Sequence, residues 1–76
     1  MHFVESPTLE PERCEELARH ILDRTGRRIH GLCVEVSDEQ VVLRGRTSSY
    51  YVKQLAQHSV WDVLPDVRLD NGIVVE

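Results

Sequence analysis

The chain is expected to fold as an α+β protein, an αββαβ two-layer sandwich in which a three-stranded sheet carries two helices packed on one face. Three observations lead there. Two stretches place apolar or small residues at helical spacing: Cys14, Leu17, Ala18, Ile21 and Leu22, then Val52, Leu55, Ala56, Ser59 and Val60. Three other stretches alternate with a period of two, around Leu32-Val34-Val36, Val41-Leu43 and Val67-Leu69-Ile73-Val75. Both helical stripes need one shared apolar surface, and a sheet with the helices on the same side supplies it.

Residues 1–9 mix Ser6, Pro7 and Thr8 without periodicity and read as a flexible leader, which leaves residues 10–76 as a single domain. The first helix is expected from Pro11 to Thr25. Pro11 suits a first helical position, Glu10, Glu12, Glu15 and Glu16 favour the positive end of the helix dipole, and Gly26 is placed as a left-handed C-terminal cap. Ser37-Asp38-Glu39-Gln40 then forms the polar turn of a β-hairpin, and Gly45 near its end allows another segment to approach closely. Thr47, Ser48 and Ser49 offer three N-caps for a second helix over Tyr50 to Trp61, which Pro65 prevents from continuing. The last strand is expected over Val67 to Val75, with Asn71-Gly72 as a bulge or bend within it, because too little apolar chain follows to form another strand. The two stripes, with Leu32, Val34, Val36, Val41, Leu43, Leu69 and Ile73, form the expected core.

Size and charge narrow the function. A chain of 76 residues buries a small core and has no room for a deep, enclosed active site. Nine Lys and Arg against thirteen Asp and Glu give a net charge of -4, which argues against nucleic acid held by bulk charge, so an anion site needs local clustering. The residues at the start do not read as a secretory signal peptide, and no stretch has the roughly 18 apolar residues of a membrane span, so a cytoplasmic location is expected. Cys14 and Cys33 fall on different layers and are expected as free thiols. The four histidines and two cysteines lack the spacing of a zinc site, His20 and His58 read as surface residues, and no nucleophile elbow or phosphate loop is present. No cofactor, no metal and no catalytic residue are assigned, and the chain is read as a non-enzymatic module.

Three groups of residues could carry binding. Arg44, Arg46 and Arg68 fall on the sheet face away from the helices, where they would converge on a phosphate or carboxylate or else simply solvate an open face beside Glu35 and Asp70. Arg24, Arg27, Arg28 and His30 follow the first helix, where they would meet lipid headgroups or complement the helix dipole. Tyr50, Tyr51 and Trp61 flank the second helix and suit either a membrane or protein interface or the edge of the core.

The run Val34-Glu35-Val36, Asp38, Val41-Val42-Leu43-Arg44-Gly45, Ser49, Lys53, Ala56, Leu69-Asp70-Asn71 and Ile73-Val74-Val75 resembles the BON (bacterial OsmY and nodulation) domain over about residues 13–75. Glu39-Gln40, Thr47 and Pro65-Asp66 depart from the family pattern at a turn, a strand end and a loop. The resemblance implies the αββαβ fold, a bacterial origin and a binding role at phospholipid or membrane surfaces, with periplasmic or membrane-peripheral association as the alternative location. The resulting expectation is a module that binds anionic phospholipid, or another anionic ligand, through Arg44, Arg46, Arg68, Arg24, Arg27 and Arg28. The alternative is a protein-interaction or weakly self-associating module that uses Val42, Val74, Tyr50, Tyr51 and Trp61.

Overall fold

The computed structural model describes residues 11–76. The expected leader, residues 1–9, and Glu10 lie outside them. Five elements follow in the expected order: α1 (Pro11–Arg24), β1 (His30–Val36), β2 (Gln40–Thr47), α2 (Tyr50–Val63) and β3 (Arg68–Val75). The strand order is β1-β2-β3, with β1 antiparallel and β3 parallel to the central β2.

Local chemistry sets the boundaries. α1 ends in paired capping bonds, in which the Arg27 N–H donates to Leu22 O at 2.8 Å and the Gly26 N–H to Asp23 O at 3.4 Å, with Gly26 at φ 66°. Of the three candidate caps for α2, Ser49 takes the role, its hydroxyl accepting from the Val52 N–H at 3.2 Å. The helix runs two residues past the expected Trp61 and stops at Val63, because Pro65 biases the preceding residue and Leu64 turns out at φ -130°, ψ 78°. In the hairpin the Ser37 N–H donates to Gln40 O at 2.9 Å, which closes the turn around Asp38 and Glu39.

α2 carries the chain back along the sheet between β2 and β3, the crossover that a parallel pair requires. Arg68 therefore begins β3 beside Gln40, the first residue of β2. α1 lies against β1 and α2, and α2 also meets β2 and β3, so both helices cover one face. The core lies between the layers. Leu17 and Ile21 of α1, Val52, Ala56 and Val60 of α2, Val36, Val41 and Leu43 of the hairpin, and Ile73 of β3 are buried together with Ile29. Leu32, Val34 and Leu69 face the same way but are only partly buried, because β1 and β3 are the rims of a narrow sheet.

Irregularity occurs elsewhere than expected. Asn71-Gly72 forms neither bulge nor bend, since β3 pairs with β2 without interruption from Arg68 to Val75. Gly72 serves close approach instead: a Cβ there would stand 2.9 Å from Leu43 O on the neighbouring strand. Asn71 fastens β3 to α2, its amide donating to Lys53 O at 3.0 Å while its Oδ1 accepts the Ile73 N–H at 3.2 Å. The bulge lies in β1, where one extra residue is accommodated between His30 and Cys33. Gly45 faces it, and a Cβ on Gly45 would meet the Ile29 side chain at 3.0 Å and His30 O at 3.2 Å, in a backbone with φ 154°.

Gly45→Ala is expected to lower unfolding stability by about 1–3 kcal/mol through overpacking and backbone strain, as read from the urea midpoint. Ser49→Ala, which removes one cap hydroxyl, is expected to cost about 1 kcal/mol in the same measurement.

Candidate functional site

Strand register turns the uncovered sheet face into four rows of residues lying side by side. From the turn end, they are Gln40–Arg68, Glu35–Val42–Asp70, Cys33–Arg44–Gly72 and His30–Arg46–Val74. Charge thus changes sign along the face: an arginine, two carboxylates flanking a valine, a central arginine, then an arginine beside a histidine. Arg44, Arg68, Glu35 and Asp70 form no ion pairs among the described residues, whereas Arg46 reaches Glu76 at 4.0 Å.

The expected convergence of Arg44, Arg46 and Arg68 does not occur. Because β3 runs parallel to β2, Arg68 lies beside Gln40, four residues from Arg44. At the usual rise of a strand that is about 13 Å, with the carboxylate row in between. Arg24 is also drawn away: its guanidinium donates to Asp62 Oδ2 at 2.6 Å and ties α1 to α2. Both side chains are about half exposed, 48% and 45%, so this pair contributes at most about 1 kcal/mol.

A different basic group comes together. His30 is the cross-strand partner of Arg46, and Arg28 precedes it by two residues, a reach of at most about 7 Å. Arg27, at φ 59°, comes just before Arg28 and lies 3.9 Å from Asp23. α2 starts three residues after the end of β2, so Tyr50 and Tyr51 stand at this same end, 63% and 65% exposed. Val74 and Val75 at the end of β3 are exposed there as well. The opposite end carries Asp38 and Glu39 in the turn and Asp66 ahead of β3, beyond the row of Glu35 and Asp70. The sheet therefore has a basic, partly aromatic end and an acidic end.

The other expected aromatic does not join this group. Trp61 lies eleven residues along α2 from Tyr50, about 16 Å at the helical rise. Its indole N–H donates to Val67 O at 3.3 Å, and its ring meets His58 edge-on at a centroid distance of 6.3 Å, so it closes the edge of the core. Val42 and Val74 lie on the open sheet face, Tyr50 and Tyr51 at the start of α2 and Trp61 near its end, so the expected apolar surface is divided among three places.

His20 departs from the expected surface histidine. It sits in the seam between α1 and the end of α2, its Nε2 buried, without a hydrogen-bond partner, and 3.9 Å from Asp62 Oδ2. Arg13, Glu16, Leu17, His20, Val63 and Leu64 line a shallow groove of about 250 Å³ along this seam. No group of three metal-ligating side chains occurs among the described residues, and no helix among them is long and apolar enough to cross a membrane. Both cysteines are free, Cys14 packed against the core and Cys33 exposed on the open face.

No protein-family model, curated protein or solved structure compared with this chain matches it.

The two thiols give a direct check of which face is open. In dilute native protein, Cys33 is expected to be alkylated first and Cys14 much more slowly, as mapped by peptide mass spectrometry at successive times.

Proposed function

We propose that the chain is a BON-like, non-enzymatic module that binds anionic phospholipid surfaces end-on, through Arg27, Arg28, His30 and Arg46 with Tyr50 and Tyr51 beside them. The observation that carries this reading is the pairing of His30 with Arg46 next to the Arg27-Arg28 turn and the exposed start of α2. Guanidinium groups suit phosphate oxygens, and tyrosine presents an apolar ring with a polar tip, the combination favoured at a headgroup boundary. The acidic turn at the far end supports a defined orientation, since an anionic surface repels it while attracting the basic end. The resemblance to BON domains over residues 13–75 points to the same class of ligand. Relative to the six arginines expected at first, Arg27, Arg28 and Arg46 are retained, Arg24 is occupied by Asp62, and Arg44 and Arg68 lie along the face away from the end.

Co-sedimentation with vesicles tests this. Binding is expected to anionic vesicles and not to neutral ones, and to weaken with added salt. Arg27→Glu combined with Arg28→Glu removes two contacts worth about 1 kcal/mol each and is expected to weaken binding roughly thirtyfold or more, while Arg68→Glu changes it by no more than about twofold. Equal binding to both vesicle types, or indifference to the Arg27/Arg28 reversal, would refute the proposal.

A further inference from the structure

We infer that two copies of this chain associate face to face through their open sheets, related by a two-fold axis that crosses the strands between the row of Val42 and the row of Arg44. The inference rests on charge and register, and it stands independently of the phospholipid reading.

Edge-to-edge association is obstructed at both rims. In β3 the Arg68 and Glu76 N–H groups donate to β2, so the odd-numbered residues between them direct their backbone groups outward. One of those outward groups already has a partner, the Ile73 N–H on Asn71 Oδ1, and just ahead of the strand Val67 O accepts from the Trp61 indole. The β1 rim is broken by its bulge, a feature that disfavours strand addition. The face remains, and its four charges that form no ion pair among the described residues occupy adjoining rows of opposite sign.

Of an axis along the strands and this axis across them, only the second opposes unlike charges. An axis along the strands sets Arg44 over Arg44 of the second copy and Glu35 over its Asp70, opposing like charges. The axis across the strands keeps each strand over its own counterpart and reverses its direction. The row Glu35–Val42–Asp70 then faces Cys33–Arg44–Gly72 of the other copy, and each Arg44 enters between two carboxylates that flank a valine. Gly72 leaves room beside that guanidinium for the incoming Asp70. Gln40 meets Arg46, and Arg68 meets Val74, so no like charges oppose in the outer rows either. Strand spacing and rise give a footprint of about 350 Å² per copy, well below that of a standard stable complex, which sets the association in the weak class.

Sedimentation equilibrium of the full chain without lipid, at concentrations reaching about 1 mM, tests the pairing. Wild-type protein is expected to dimerise with rising concentration and to dissociate with added salt. Arg44→Glu alone, and Glu35→Arg with Asp70→Arg, are each expected to weaken it at least tenfold by opposing like charges, with helix content by circular dichroism unchanged. An equimolar mixture of these two variants restores opposite charges at both contacts and is expected to return to within about threefold of wild-type affinity. Arg28→Glu, which has the same net charge as Arg44→Glu but leaves the face intact, is expected to dimerise by itself like wild type. A wild-type chain that stays monomeric, a dimer indifferent to Arg44→Glu, or a mixture no tighter than its separate components overturns the inference. Because lipid is absent throughout, such a failure leaves the vesicle result to be judged by itself.

Discussion

The structure depends on the hydrogen bonding of β2 on both of its edges, combined with burial on one of its faces. Val41 and Leu43 are fully buried beneath the helices and Thr47 nearly so, while Val42, Arg44 and Arg46 point to the uncovered side. A slip of one residue would exchange those two sets and put guanidinium groups into the core, so the register is strongly specified. β1 reaches β2 through a short hairpin and β3 reaches it through α2. Their residues then fall into rows because β2 holds both registers.

The small size of the chain shapes the rest. A narrow sheet has much rim for its area, so inward residues of β1 and β3 remain half-covered and side chains are used to finish the edges. Trp61 and Asn71 illustrate this: Trp61 satisfies Val67 O just ahead of β3, Asn71 satisfies the Ile73 N–H within it, and Asn71 also binds β3 to α2 through Lys53 O. Gly45 and Gly72 belong to the same economy, since backbone or side-chain atoms of a neighbouring segment occupy the space where their Cβ would be. The face is left as an alternation of charge, and the basic end as a separate group with exposed tyrosines. The proposed surface attachment at that end and the proposed pairing across that face would call on different residues, Arg28 and His30 for one and Glu35, Arg44 and Asp70 for the other.

Much of the fold was legible because its signals are local. Helical and strand periods located all five elements to within a few residues, the Ser49 and Gly26 caps were among the marked positions, and the core was largely named in advance. Ile29 escaped because it stands by itself in a loop with no periodic neighbours, and it is buried in the core with its side chain beside Gly45. Asn71-Gly72 misled for the opposite reason: its composition signals a turn, but here Gly72 answers to the closeness of β2 and Asn71 to the carbonyl of a helix above it.

The site was less legible than the fold. By itself the sequence determined which residues alternate and which stripe is apolar, and hence that arginines and carboxylates would share an uncovered face, because side-chain direction follows from the period of each element. Tertiary structure decided which of them are neighbours. The parallel course of β3 carried Arg68 to the far end of the sheet, the one-residue bulge in β1 set His30 against Arg46, and the meeting of α1 with the end of α2 gave Arg24 to Asp62 and buried the Nε2 of His20. Period is a property of each strand or helix separately, whereas proximity depends on strand direction, register and helix crossing, which arise only when the elements pack together.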